Sequence, residues 1–246
     1  MMKSQAMIGL LMVFVSGTVA MAEWCVDGEF GVAFSGYNEV RIPAGQGDRF
    51  SLSEELSAAA TPAARLRLTR SWKDRHAVEL LVAPLRIKVE GSLDRDVRFD
   101  DEVFPAGVEL SGTYRFDSYR LSYRYDVIRG KRLRLGIGLT GKIRAAEIEL
   151  RGDGHHASYD NIGVVPLFRF RLQWKVSERW GVLVDGDALA APQGRAEDVL
   201  VAAWGTICRS SELFAGYRLL EGGADNDKVY TFALVHYAVV GMRLTI

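Results

Sequence analysis

Two short clusters of acidic residues and histidine are the first candidates for chemistry. Asp94 and Asp96 form an Asp-x-Asp pair, and Asp153 and His155 form an Asp-x-His pair. A histidine can act as the general base on a water molecule that nearby carboxylates orient. The four residues are therefore candidate hydrolase residues if the chain brings the pairs together, and solvated loop residues if it does not.

Other reactive side chains give weaker patterns. His156 and Ser158 would suit a lipid-modifying esterase, but residues two apart on a strand only share a face. His155 and His156 lack a third metal ligand at suitable spacing. The sequence thus predicts no cofactor and no metal, and a rim hydrolase is the alternative to a non-enzymatic role.

The elements that would position these residues are β-strands. In 118–125, tyrosine and leucine alternate with serine and arginine, and 168–176 repeats this pattern with phenylalanine, leucine and tryptophan. Such period-two alternation is typical of half-buried strands. We predict an all-β, closed, antiparallel up-and-down transmembrane barrel of about ten strands, with eight or twelve as alternatives. The predicted strands are 27–41, 62–71, 76–90, 108–127, 131–150, 157–176, 180–190, 196–208, 212–221 and 229–245.

The connectors predict an orientation. Those after the even-numbered strands are short, and those after the odd-numbered strands are mostly longer and richer in Gly, Asp and Pro, the arrangement of outer-membrane barrels. Both termini would then be periplasmic. The first long connector, 43–62, contains Phe50, Leu52 and Leu56 and could fold back over the barrel as a short helix.

The N-terminal residues predict export. Lys3 precedes the apolar run 7–15, and Ala20-Met21-Ala22 is a small-x-small cleavage site, so residues 1–22 are predicted to be a cleaved signal peptide. Residues 23–246 would form the barrel domain. The 31 basic and 31 acidic residues balance, which argues against a nucleic-acid partner.

A soluble periplasmic barrel or sandwich would show the same alternation, but three features favour a membrane. Large aromatic residues lie near strand ends, as in the girdles of membrane barrels. The polar face is rich in arginine, and the chain ends inside its last strand. The aromatic residues are Tyr123, Tyr125, Trp174, Trp180 and Tyr217.

The last strand resembles the C-terminal strand of bacterial outer-membrane barrels, with Ile246 where that family usually has Phe. This resemblance implies a place in the outer membrane. It also implies membrane lipid, lipopolysaccharide and the assembly machinery as partners. The two rim pairs resemble those of the omptin proteases, ten-stranded enzymes whose pairs face each other across the barrel mouth. Here the Asp-x-His pair follows the fifth strand instead of lying farther along.

Strand parity predicts a charged lumen. A barrel of this size has little internal space, so the side chains would interlock as a rigid ion-paired core or leave a narrow pore that favours anions. The predicted lumen residues are Arg65, Arg67, Arg120, Arg124, Arg132, Arg134, Arg169, Arg171, Lys175, Arg218, Arg243, Glu79, Asp117, Asp185, Asp187 and Glu212.

Cys25 and Cys208 are the only two cysteines of the chain. Export would permit a disulfide, and both residues are predicted at the periplasmic end, on strands that are not neighbours. A disulfide between them and two free thiols are both open. The sequence does not indicate an oligomeric state.

Overall fold

The computed structural model describes residues 23–192 and 194–246, and every regular element in this part of the chain is a β-strand. The predicted signal peptide, residues 1–22, lies outside the described residues. Numbered in chain order, the strands are β1 (Glu23–Arg41), β2 (Phe50–Ser51), β3 (Ser57–Ala58), β4 (Thr61–Trp72), β5 (His76–Ala83), β6 (Arg86–Ser92), β7 (Val97–Phe99), β8 (Glu102–Phe104), β9 (Glu109–Arg129), β10 (Leu133–Gly152), β11 (His155–Lys175), β12 (Trp180–Ala191), β13 (Gly194–Cys208), β14 (Ser211–Asp225) and β15 (Tyr230–Thr245). Within these two ranges, no helix is long and apolar enough to cross a bilayer.

Ten antiparallel strands close into one barrel. β5 and β6 together form one barrel strand, interrupted at Pro84 and Leu85, and β1, β4 and β9 to β15 form the others. Each pairs with the next along the chain, and β15 returns to β1, where Phe30 lies opposite Val240. The predicted closed, up-and-down, ten-strand barrel is confirmed.

The two ends of the barrel differ in their connectors. The start of β1 meets the last residue at one end of the barrel, where Ile246 N donates to Trp24 O at 2.8 Å, and we refer to this as the terminal end. Its connectors are the short segments 73–75, 130–132, 176–179 and 209–210. The opposite end, the loop end, carries the long connectors 42–60 and 93–108.

The connector between β10 and β11, at the loop end, is shorter than the sequence suggested. The β10–β11 hairpin turns at Asp153 and Gly154, whose φ angles are 48° and 80°. Two positive φ angles in a two-residue loop are typical of a type I′ turn, for which Asp-Gly is a preferred sequence. Strand pairing therefore runs on to Gly152 opposite His155, and the predicted six-residue loop is wrong.

The long connectors fold together into an apolar cap over part of the loop end. Phe50 and Phe99 meet edge to face, with ring centroids 6.0 Å apart, and Leu52 and Leu56 are buried beside them. The short strand pairs β1–β2, β3–β6 and β7–β8 hold this backbone. The first connector thus folds back over the barrel as expected, but as short strands and turns and not as a helix.

The barrel wall exchanges its polar and apolar faces between the two ends. In β10, Leu139 faces outward and is 70% exposed toward the terminal end, whereas Leu150 faces inward and is buried at the loop end. In β6, Ile87 and Val89 are buried inside while Lys88 is exposed outside. The terminal half is therefore polar inside and apolar outside, and the loop half is the reverse.

Candidate functional site

The interior has three levels. A polar cavity of about 300 Å³ opens at the terminal end. A layer of buried arginines and carboxylates fills the middle, and we refer to it as the charged layer. Above this layer, a cavity of about 450 Å³ lies next to the apolar cap, and we refer to it as the vestibule.

One half of the charged layer is organised around Arg169, which is 0% exposed. Its guanidinium donates to Glu79 Oε2 at 2.9 Å and to Asp185 Oδ2 at 2.7 Å. It also donates to the carbonyl oxygen of Gly186 at 3.0 Å. Arg67 and Arg171 reach the same Asp185 carboxylate at 2.9 and 2.6 Å. One buried carboxylate is thus shared by three arginines from β4 and β11.

The other half is organised around Asp198 of β13. Arg65 lies 2.8 Å from its carboxylate, and Arg120 and Arg218 also donate to it. Arg218 makes a two-pronged contact with Glu29, with both N–O distances 2.7 Å. Paired and bidentate contacts of this kind offset the cost of burying charge.

A chain of hydroxyl groups joins the charged layer to the wall. Arg120 donates to Asp187 at 2.7 Å, Thr140 donates to the other oxygen of Asp187 at 2.6 Å, and Ser122 lies 2.6 Å from Thr140. The two cavities found within the layer measure about 30 and 10 Å³. Cavities of this size hold at most one or two waters each.

The other predicted lumen residues occupy several positions. Arg124 contacts Glu79 at 2.9 Å, and Arg243 contacts Asp27 at 2.7 Å and Glu212 at 3.8 Å, at the terminal edge of the charged layer. The prediction for Asp117 is wrong: it alternates with the inward Ser118 and pairs with the exposed Arg86 of β6 on the outer wall.

Three of the predicted lumen residues lie at the terminal rim. Arg132 falls in a connector and is exposed, and Arg134 is exposed beside the terminal cavity. Lys175 lies 3.4 Å from Glu178 in the next connector. Their position at strand ends explains why parity alone does not place them in the barrel interior.

Three acidic residues of the network were missed from the sequence. Asp27 and Glu29 alternate with Val26, Gly28 and Phe30, which is a signal that could have placed them on the inner face. Asp198 carries no such signal. It shares its face with the apolar Leu200, Ala202 and Trp204, so periodicity favours that face as an apolar one.

The rim residues that could form a hydrolase site are not joined. Asp94 is exposed and lies 3.5 Å from Arg95, and Asp96 accepts a hydrogen bond from Ala106 N at 2.9 Å. His155 pairs with Glu102 at 2.8 Å. Among the described residues, no hydrogen bond or ion pair links either aspartate to Asp153 or His155, and no cluster of three or more His, Cys, Asp or Glu could hold a metal.

Cys25 and Cys208 are both free thiols that line the terminal cavity. β15 and β14 lie between their strands, since Cys25 is opposite Thr245 and Cys208 is opposite Ser211. Three strand spacings amount to roughly 14 Å, whereas a disulfide needs Cα atoms within about 7 Å. The bridge between them is therefore excluded in this geometry.

Ion pairs also join the two loops of the cap. Arg95 pairs with Glu55 and donates to the carbonyl oxygen of Arg49 at 2.9 Å. The hydrogen bond to Glu55 raises the pKa of the Arg95 guanidinium, and the bond from Arg49 to Glu39 raises the pKa of Arg49. Because these groups are exposed, such pairs contribute little stability.

A closed antiparallel barrel with an apolar outer band and a polar filled interior has the fold of bacterial outer-membrane β-barrels. The structure is similar to the outer membrane protease OmpT of Escherichia coli, with a TM-score of 0.59 and 8% identity over 91% of this chain and 97% of that chain. Ail of Yersinia pestis matches at a TM-score of 0.42 and 12% identity, over 91% and 99% of the two chains. An outer membrane channel of Pseudomonas putida F1 matches at 0.43 and 9%, over 91% and 95%.

At these identities the likeness extends to the fold alone. No protein-family model matches the sequence, and no curated protein is similar to it. The predicted resemblance to bacterial outer-membrane β-barrels is confirmed.

Proposed function

We propose that this chain is an integral outer-membrane β-barrel with a sealed lumen and a structural, non-enzymatic role. The single observation that carries the proposal is the exchange of polar and apolar faces along the wall. A soluble barrel would keep its apolar face inside along the whole strand. An outer face that is apolar only in the terminal half matches a protein whose terminal half is surrounded by lipid.

The height of the apolar band supports a bilayer crossing. In β10 the outward apolar residues run from Leu133 to Ile143, and the outward Glu147 and Glu149 follow. A tilted strand needs about 9–11 residues to cross the hydrocarbon core. Above the band, Glu147 pairs with Arg115 at 3.0 Å on a surface suited to water.

The aromatic residues near the terminal end support the same placement. Trp24, Trp174 and Trp180 are exposed on the outer wall at this end, and Tyr123 is exposed on β9 with its hydroxyl 2.8 Å from His76. Tryptophan and tyrosine favour the lipid–water interface. With short connectors on the same side, we propose that the terminal end faces the periplasm and the cap faces outward.

The charged layer supports a closed lumen over a pore. Arg120 and Arg169 reach carboxylates across the interior, Asp187 and Glu79, and both side chains are buried. Arg218 is buried against Glu29, two strands away along the wall. A pore could use an excess of basic over acidic groups to favour anions. In the charged layer the basic groups are instead held in shared ion pairs.

Conductance in planar bilayers tests the sealed lumen. The wild-type protein should give no channel events, whereas a double variant Arg169→Ser with Asp185→Ser should open a water path through the middle. Arg151→Ser with Glu149→Ser removes an ion pair from the outer wall of the loop half and is the matched control. Steady single-channel currents from the wild type would overturn the proposal.

A further inference from the structure

The vestibule contains a buried lysine that takes part in none of the ion pairs described above. Lys142 of β10 is only 3% exposed, and no ion pair or side-chain hydrogen bond joins its ammonium to another described residue. Its Nζ lies 4.7 Å from the ring centroid of Phe116. A buried charge is costly unless it is paired, and every arginine at the centre of the charged layer directly below is paired.

The surrounding wall has few competing acids. Arg144 donates one Nη to Asn161, while its buried Nε has no hydrogen-bond partner. Arg195 at the edge of the cavity is neutralised by Glu221, with its Nε 2.7 Å from the carboxylate. Glu147, the acid at this level, is paired with Arg115. The cavity therefore keeps an excess of positive charge deep inside it.

The rest of the lining is largely apolar and aromatic. Tyr114 and Phe116 of β9 lie nearly parallel, with interplanar angle 13°, and face Tyr159 and Leu189 across the cavity. Its volume of about 450 Å³ lies within the range of small-molecule sites. An apolar pocket with one convergent charge is the usual form of a ligand site.

We propose that the vestibule binds an organic anion with a single charged head and an apolar body. The head would meet Lys142 at the floor, with Arg144 beside it, and the body would lie against Tyr114, Phe116 and Tyr159. One ammonium group suits a single carboxylate, and the apolar walls suit an alkyl or aromatic body. This proposal does not depend on whether the layer below it is sealed.

Binding of octanoate to the full-length protein in lipid nanodiscs tests the proposal, with empty nanodiscs as the blank to remove partitioning into lipid. Calorimetry should show saturable binding of octanoate, and much weaker binding of octanol and octylamine. A comparison with benzoate identifies the class of ligand. Tighter binding of octanoate than of benzoate points to a fatty acid, and tighter binding of benzoate points to an aromatic acid. Equal binding of all the octyl compounds would overturn the proposal.

Substitutions make the test specific to the buried cation. Lys142→Met should weaken octanoate binding by at least about tenfold, because it removes a charge-assisted contact. Lys142→Arg should keep the affinity within about threefold. Lys88→Met removes an exposed lysine from the outer wall and should leave binding unchanged. Wild-type affinity in Lys142→Met would contradict the proposal, and if that variant does not fold, the octyl series on the wild type decides.

Discussion

The charged layer and the apolar cap both exclude water from the same barrel, but by opposite chemistry. In the charged layer, Arg169 is satisfied by Glu79 of β5, across the barrel, and by Asp185 of the neighbouring strand β12. In the cap, Phe50 and Phe99 pack edge to face with no polar group between them. The charged layer lies where the outer wall is apolar, and the apolar cap lies at the end where the outer wall is polar.

The difference shows that the polarity of the outer wall determines the polarity of the side chains inside the barrel. Where the outer wall is apolar, the alternating side chains of a strand leave the polar residues to the interior, and those residues must pair with one another. Where the outer wall is polar, the same alternation places leucine and isoleucine inside. β10 changes from one pattern to the other between Ile143 and Ile148.

The largest expected effect is the loss of Arg169 from the charged layer. Arg169→Met should lower the free energy of unfolding by about 3–5 kcal/mol, because it leaves buried carboxylates uncompensated. Arg134→Met, at an exposed position, should change it by less than about 0.5 kcal/mol. Urea unfolding in lipid vesicles measures both, and equal effects of the two variants would break the distinction between the layer and the rim.

A slightly smaller effect is expected from the interior of the loop half. Leu150→Ala should cost about 2–5 kcal/mol, since it creates a cavity beside the cap. Ser111→Ala, on the exposed outer wall of neighbouring β9, should be nearly neutral. Limited proteolysis within residues 42–60 should accelerate only in Leu150→Ala. Unchanged proteolysis would mean that this interior does not hold the cap.

The cost of placing a charge on the outer wall should depend on its position between the terminal end and the loop end. Leu139→Arg places a charge in the apolar band and should cost about 2–4 kcal/mol in lipid vesicles. Ser158→Arg, on the outer wall of the loop half, should cost less than about 0.5 kcal/mol. If both substitutions were tolerated equally, the contrast between the two halves of the wall would be lost.

The smallest effect is expected at the surface of the cap. Arg95→Ala removes the exposed pair with Glu55 and should cost no more than about 1 kcal/mol. The result sharpens the comparison, because the same residue type is expected to be several times more costly to remove from the charged layer. A loss as large as that of Arg169→Met would show that exposure does not separate the two regions.

Much of this architecture could be predicted from the sequence because period two is a local signal. The ten strands follow directly from this alternation. The position of Asp198 could not be predicted, because its inward neighbours are apolar and its arginine partners come from β4, β9 and β14. Partners of that kind are set by barrel closure, which no local pattern contains.

The loops were less predictable for a related reason. The dipeptide Asp153-Gly154 is typical of a two-residue hairpin turn. The polar residues around it suggested a longer loop instead. The separation of Asp96 from His155 depends on how the connectors 42–60 and 93–108 fold together. Lys142 is not among the predicted lumen residues, and only the structure shows that it is buried on the inward face of β10.

The exchange of faces along β10 is tested most directly by the accessibility of its outer wall in a bilayer. Single cysteines at 139, 143, 147 and 149, in a chain with Cys25 and Cys208 changed to serine, would carry an environment-sensitive fluorophore. A lipid-soluble quencher should act at 139 and 143, and a water-soluble quencher at 147 and 149. Equal access of the water-soluble quencher to all four positions would contradict a lipid-embedded terminal half.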